Sequence, residues 1–146
     1  MKRKMVIAVS GYFNPFHVGH LEMIEKARAL GDYLVVILNN DNQVRMKGSV
    51  PFMSEADRMK IIGALRDVDE VFLSIDTDKT ICESLRQVKP DVFANGGDRH
   101  QDEVPEAIVC KELSIKMVDE LGGKIRSSSH IICQAKKYKD KRDKEK

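Results

Sequence analysis

MVIAVSGYFNPFHVGH, residues 5–20, divides into two halves with different physics. Residues 5–10 are a short run rich in Val and Ile, closed by Gly11 and an Asn14-Pro15 turn signal, and read as a buried strand. From Val18 onward the apolar residues Val18, Leu21, Ile24, Ala27 and Leu30 recur at helical spacing until Gly31 offers a stop. A strand that runs through a short loop into a helix leaves unpaired N–H groups at the helix start, where an anion can be held. Gly11 permits close approach of a ligand to the backbone, and Gly19 removes a side chain that would crowd the same spot. His17 and His20, three apart, share one side of the first turn. Two imidazoles at a phosphate-friendly helix start suggest stabilisation of a charged phosphoryl transition state.

Beyond Gly31 the alternation repeats. Residues 33–38 are a continuous apolar run suited to a strand covered on both faces. Residues 54–65 open on the N-cap candidate Ser54 and carry Met59, Ile62 and Leu65 on one stripe, which predicts a helix. A third strand is expected over 71–75, a helix over 78–88 stopping before Pro90, and a fourth strand over 92–94 running into Asn95-Gly96-Gly97. A helix over 105–113, a fifth strand over 115–118 and a serine-capped helix over 127–138 complete the series. Strands alternating with helices imply parallel pairing through right-handed crossovers, hence a Rossmann-like three-layer α/β/α domain around a five-stranded parallel sheet. In such sheets ligands bind outside the carboxyl ends of the strands, at the switch point.

Composition narrows the function classes. The 146 residues hold 25 Lys+Arg against 23 Asp+Glu and are 42% hydrophobic. A chain of this length buries roughly 70% of its unfolded surface, so it needs neither disulfides nor a structural metal to fold. Charge is unevenly placed: residues 136–146 carry a net +4, which leaves the body at −2. A nearly neutral body argues against a dedicated nucleic-acid-binding domain, and the charged tail reads as a solvated, disordered end. Cys82, Cys110 and Cys133 are odd in number and form no CxxC pair, as expected of free thiols in a reducing compartment. About five apolar residues precede Gly11, too few for a secretory signal. No run reaches the roughly 18 apolar residues of a membrane span. The expectation is a cytoplasmic protein with no nucleic-acid or membrane partner.

The string GYFNPFHVGH, with a strand before it and a helix after it, resembles the HxGH signature of the nucleotidyltransferase superfamily. It is most similar to the cytidylyltransferase-like family, which includes glycerol-3-phosphate cytidylyltransferase and the adenylyltransferase domain of heptose-phosphate enzymes. Residues 29–36 (ALGDYLVV), 45–48 (RMKG) with 55–58 (EADR), 64–71 (ALRDVDEV), 90–98 (PDVFANGGD) and 127–132 (SSSHII) match further segments of that family. The likeness covers residues 5–133, so residues 1–135 are taken as one nucleotidyltransferase domain and 136–146 as the tail. It implies transfer of CMP or AMP from CTP or ATP to a small phosphate- or phosphonate-bearing acceptor, with release of pyrophosphate. It also implies Mg²⁺ bound through the nucleotide phosphates, no metal held by the protein, and a homodimer.

By the same likeness His17, His20 and Lys47 are the catalytic residues, the lysine as a mobile cation that closes over developing negative charge. Gly11, Tyr12, Phe13, Asn14 and Gly19 would line the nucleotide together with Gly96, Gly97 and Asp98. Arg126 and the hydroxyls and amides of Ser127, Ser128 and Ser129 would meet the phosphates. Arg58 is either a phosphate contact or a helix ion-pair partner. Where related cytidylyltransferases carry Arg-Thr-x-Gly-Ile, this chain has Gly122-Gly123-Lys124-Ile125-Arg126, so the base is open between cytosine and adenine, with a slight lean to cytidylyl transfer. A tRNA-charging enzyme is disfavoured: Phe52-Met53-Ser54-Glu55 lacks the lysines of that class's second signature, and the chain is short for an added RNA-binding domain. A nucleotide-binding module without chemistry is the remaining alternative.

Overall fold

The computed structural model describes residues 4–96 and 105–121. Its elements follow in the order β1 (Val6–Gly11), α1 (Val18–Arg28), β2 (Tyr33–Leu38), α2 (Asp41–Met46), α3 (Glu55–Gly63), β3 (Glu70–Leu73), α4 (Cys82–Val88), β4 (Val92–Gly96), α5 (Glu106–Glu112) and β5 (Lys116–Leu121). The strands form one five-stranded sheet in the order β3-β2-β1-β4-β5, and every pairing is parallel. This is the expected Rossmann-like α/β arrangement. The order reverses between β1 and β4, so their carboxyl ends, Gly11 and Gly96, open onto the switch point.

Successive side chains of a strand face opposite sides, and the central strands are apolar on both. Ile7, Val9, Leu34, Val36 and Leu38 pack with Ile24 and Ala27 of α1 and Ile62 of α3 on one face. Ala8, Val35, Ile37 and Phe93 pack with Leu85 of α4 and Val109 and Cys110 of α5 on the other. At the far end of the sheet an aspartate precedes each of three strands and accepts the backbone N–H of a neighbouring one. Asp32 takes that of Met5 at 2.9 Å, Asp69 that of Leu34 at 2.8 Å and Asp91 that of Val6 at 2.9 Å. These bonds satisfy strand-end donors that the ladder leaves over, which gives the Asp in each of GDY, VDEV and PDV a structural reason.

Three expectations need correction. The helix expected over 78–88 begins only at Cys82. Asp78 is held in a local turn by the Thr80 N–H and hydroxyl at 2.9 and 2.7 Å. The first amides of α4 are taken instead by the Asp76 carboxylate, from Glu83 at 2.8 Å and Ser84 at 2.9 Å. The third strand ends at Leu73 rather than residue 75, and β5 runs on to Leu121 rather than stopping at 118. The helix α2 was not expected at all. The helix expected over 127–138, Cys133 and the tail lie outside the described residues. Cys82 and Cys110 are free thiols, and burial pushes the Cys110 thiol up to about 11. Among the described residues no helix is long and apolar enough to cross a membrane.

Candidate active site

The β1–α1 loop delivers both histidines, and each is fixed by a backbone amide. His17 is the N-cap of α1 in extended conformation, and its Nδ1 accepts the Gly19 N–H at 3.1 Å. The Nδ1 of His20 accepts the His17 N–H at 3.2 Å. The pair thus builds a reciprocal capping box from two imidazoles, in the roles a serine and a glutamate commonly fill. The rings stack with centroids 3.7 Å apart and planes 24° from parallel. Because each Nδ1 accepts, a neutral ring carries its proton on Nε2, so both imidazoles become Nε2–H donors. Burial, then the neighbouring His17 and then Lys47 hold the His20 pKa down to about 3. At neutral pH it is therefore an uncharged hydrogen-bond donor, not a proton-donating imidazolium.

The helix start is less open to an anion than the sequence suggests. The amides of His17 and Gly19 go to the imidazoles, and that of His20 goes to the His17 carbonyl at 3.0 Å. Three of the amides at the helix start are therefore already satisfied within the loop.

Gly11, Phe13 and Asn14 serve the loop from within. A Cβ on Gly11 would stand 2.8 Å from Phe13 Cζ, so the space the glycine leaves is filled by the buried Phe13 ring rather than by a ligand. Phe13 reaches that place with a φ of 50°, a left-handed conformation that costs a bulky residue free energy. Its ring meets His20 edge-on at 4.8 Å, which braces the imidazole from below. The Asn14 side chain is buried, donates to the Val50 carbonyl at 2.9 Å and accepts the Phe52 N–H at 2.7 Å. It staples the β1–α1 loop to the segment between α2 and α3.

Lys47 is the C-cap of α2, whose end is set by Gly48 at a φ of 87°. The Gly48 N–H bonds the Arg45 carbonyl at 2.9 Å and the Ser49 N–H bonds that of Val44 at 3.2 Å, the paired bonds of a Schellman ending. The Lys47 ammonium lies 4.4 Å from the centroid of the Tyr12 ring. Arg58 of α3 has no exposed side-chain surface. Its guanidinium donates to the carbonyls of Met53 at 3.1 Å, Tyr12 at 2.8 Å and Asn39 at 2.7 Å, and to the Asp41 carboxylate at 2.6 Å. Of the two roles considered for it, the ion pair is the one with a visible partner: Arg58 ties together the three segments that frame the histidines, and its N–H groups point inward.

A family profile described as cytidylyltransferase-like matches residues 8–140, from the third residue of β1 to well past β5. The chain belongs to the cytidylyltransferase-like family. It is 39% identical over 124 residues to the bifunctional protein HldE of Desulfatibacillum aliphaticivorans, covering 84% of this chain and 23% of that protein. It is 42% identical over 100 residues to the FAD synthase of Ferroglobus placidus, covering 68% of this chain and 63% of that one. The chain thus spans about a quarter of the length of the HldE relatives it matches. Among solved structures, the lipopolysaccharide core biosynthesis protein from Thermoplasma volcanium GSS1 superposes with a TM-score of 0.70 at 27% identity, over 81% of this chain and 97% of that one.

In this cytidylyltransferase-like domain the structure brings His17, His20, Lys47, Tyr12 and Gly19 together at the carboxyl end of β1. Gly96 ends the adjacent β4. Gly97, Asp98, Arg126, Ser127, Ser128 and Ser129 lie outside the described residues. Three contributors escaped the sequence analysis: Asp41, the partner of Arg58, and the buried pair Asn39 and Gln43. Gln43 accepts from Asn39 and Asn40 at 3.1 and 3.0 Å and donates to the carbonyls of Asp78 and Thr80, both at 2.8 Å. The signal for it was present, since Asn40 followed three residues later by Gln43 has the spacing of a capping box.

Proposed function

We propose that this cytidylyltransferase-like protein transfers a nucleoside monophosphate from a nucleoside triphosphate to a phosphate monoester. The observation that carries the reading is the stacked His17–His20 pair with both Nδ1 atoms occupied and the His20 ring held neutral by its burial. In the reaction an acceptor phosphate oxygen attacks the α-phosphorus, the bond from that phosphorus to the bridging oxygen breaks, and pyrophosphate leaves. No side chain becomes a covalent nucleophile. The Nε2–H groups donate to the α-phosphoryl oxygens as negative charge builds on them, and the Lys47 ammonium offsets charge toward the leaving pyrophosphate. Neutral donors suit this task because their geometry is fixed before substrate arrives and they surrender no proton. Mg²⁺ carried on the triphosphate would neutralise its charge.

The relatives favour ATP over CTP. An FAD synthase makes a product that contains an adenylyl group, and that relative is 42% identical to this chain, which outweighs the slight lean to cytidylyl transfer. The acceptor is taken to be a sugar phosphate or flavin mononucleotide, and the protein a cytoplasmic homodimer. The deciding experiment crosses ATP and CTP with phosphorylated sugars, polyol phosphates, phosphonates and flavin mononucleotide, and reads pyrophosphate. Release with ATP and one acceptor class supports the proposal. Nucleotide binding by calorimetry with no pyrophosphate from any pair would identify a binding module instead.

A further inference from the structure

Tyr12 and Lys47 approach each other from separate, independently fixed segments. The Tyr12 carbonyl is pinned by Arg58 Nη1 at 2.8 Å, which holds the β1–α1 loop in place. The Lys47 backbone is pinned from the other side by the Schellman ending of α2 at Gly48. Between these anchors a long exposed side chain reaches back to put its ammonium 4.4 Å from the ring centroid. A lysine at a helix end has many solvated rotamers, and holding it in one of them costs side-chain entropy. An aromatic face within about 6 Å offsets that cost by cation–π attraction.

We propose that Tyr12 is a positioning residue: its ring is the resting seat of the Lys47 ammonium and holds the cation beside the histidine pair before a triphosphate arrives. The inference rests on the nucleotidyl-transfer reading above. The seat explains why the lysine's charge is felt at His20, whose pKa it helps to lower. It also gives the aromatic residue after Gly11 a task separate from base or ribose contact. Triphosphate oxygens then draw the ammonium a short distance, from ring face to phosphate, rather than recruiting it from bulk-facing rotamers.

The test uses the full chain with Tyr12→Leu, Tyr12→Phe, Lys47→Met and the Tyr12→Leu/Lys47→Met double variant. Carbon-detected or carbon-edited NMR of the lysine ε-methylenes in the ligand-free protein reads the seat directly. The Lys47 signal should be shifted upfield by the ring current, keep that shift in Tyr12→Phe and lose it in Tyr12→Leu. With a surface cation–π contact at stake, Tyr12→Leu should lower kcat/KM for pyrophosphate release about 2- to 5-fold, more than Tyr12→Phe does. The Tyr12→Leu effect should vanish in the Lys47→Met background. An unshifted lysine signal in the wild type, or an equal fall from Tyr12→Leu with and without Lys47, overturns the proposal. Failure of the wild type to release pyrophosphate at all would sink the transferase reading, while the ring-current shift still decides whether the seat exists.

Discussion

His20 makes stability depend on pH in a window set by its burial. Its folded pKa is about 3 against 6.5 for the free side chain, so as pH falls the unfolded chain takes up the proton first. Above pH 6.5 the ring is neutral in both states and contributes no slope. Between 6.5 and 3 the unfolded state holds about one more proton, and stability falls by about 1.4 kcal/mol per pH unit. From pH 6.5 to 5.0 the loss from this one group is therefore about 2 kcal/mol. His20→Asn isolates it, because an asparagine Oδ1 can accept the His17 N–H at the place of Nδ1 while carrying no titrating group. Urea unfolding of both proteins at pH 7.5, 6.5, 5.5 and 5.0 is the assay. The wild-type free energy minus that of His20→Asn should fall by about 2 kcal/mol as the pH drops to 5.0 and be nearly flat above 6.5. Two parallel curves would refute the burial argument and, with it, the neutral-donor role.

Four further outcomes follow from contacts in the site. Gly11→Ala drives a Cβ to 2.8 Å from Phe13 Cζ, so the ring that braces His20 must move; denaturation should show a loss of about 1–3 kcal/mol, with a fall in kcat. Gly48→Ala meets nothing within 4 Å but keeps the φ of 87°, so urea unfolding should register about 1 kcal/mol of backbone strain, and Gly48→Asn less. Arg58→Met leaves three carbonyls and the Asp41 carboxylate without their donor, and its thermal or urea stability should drop by about 3–5 kcal/mol. His17→Asn replaces an unusual N-cap with a preferred one, so unfolding free energy should hold or rise by up to about 1 kcal/mol. If the proposed transfer is right, pyrophosphate release in the same variant should fall about a hundredfold or more, since its donor to the transition state is gone.

The sheet was legible because its strands obey one rule. Tyr33–Leu38 was bounded to the residue from apolar continuity alone, since a central parallel strand is covered on both faces and no polar position interrupts it. The helix α2 escaped because it has no apolar stripe: its buried residues are Gln43 and Val44, and the glutamine is buried for its hydrogen bonds rather than its hydrophobicity. The first turn of the helix expected at 78 failed for a related reason. Asp78 and Thr80 bond each other locally, and an aspartate two residues earlier caps the helix from outside its own sequence window. Arg58 shows the limit for charged residues in general. Sequence displays its charge, but only the fold shows that Asn39, Tyr12, Met53 and Asp41 converge on it from three segments.

The histidines show why their identity and spacing were readable while their task was not. Spacing of three on a helix start puts two rings on one side, and that follows from helix geometry alone. What the spacing does not say is that the same two rings also terminate the helix. Each imidazole satisfies an amide with Nδ1, which orients the ring, so on the proposed reading capping falls to one nitrogen and contact with the substrate to the other. A serine or asparagine would cap as well but would have no second atom to offer. A histidine deeper in the helix would have the second atom but no amide to fix it, because interior amides are already bonded to carbonyls one turn back. The first turn is therefore the place in an α-helix where an imidazole can be locked by the backbone at one nitrogen and stay available at the other. The strand that points α1 at the switch point then determines what the available nitrogen meets.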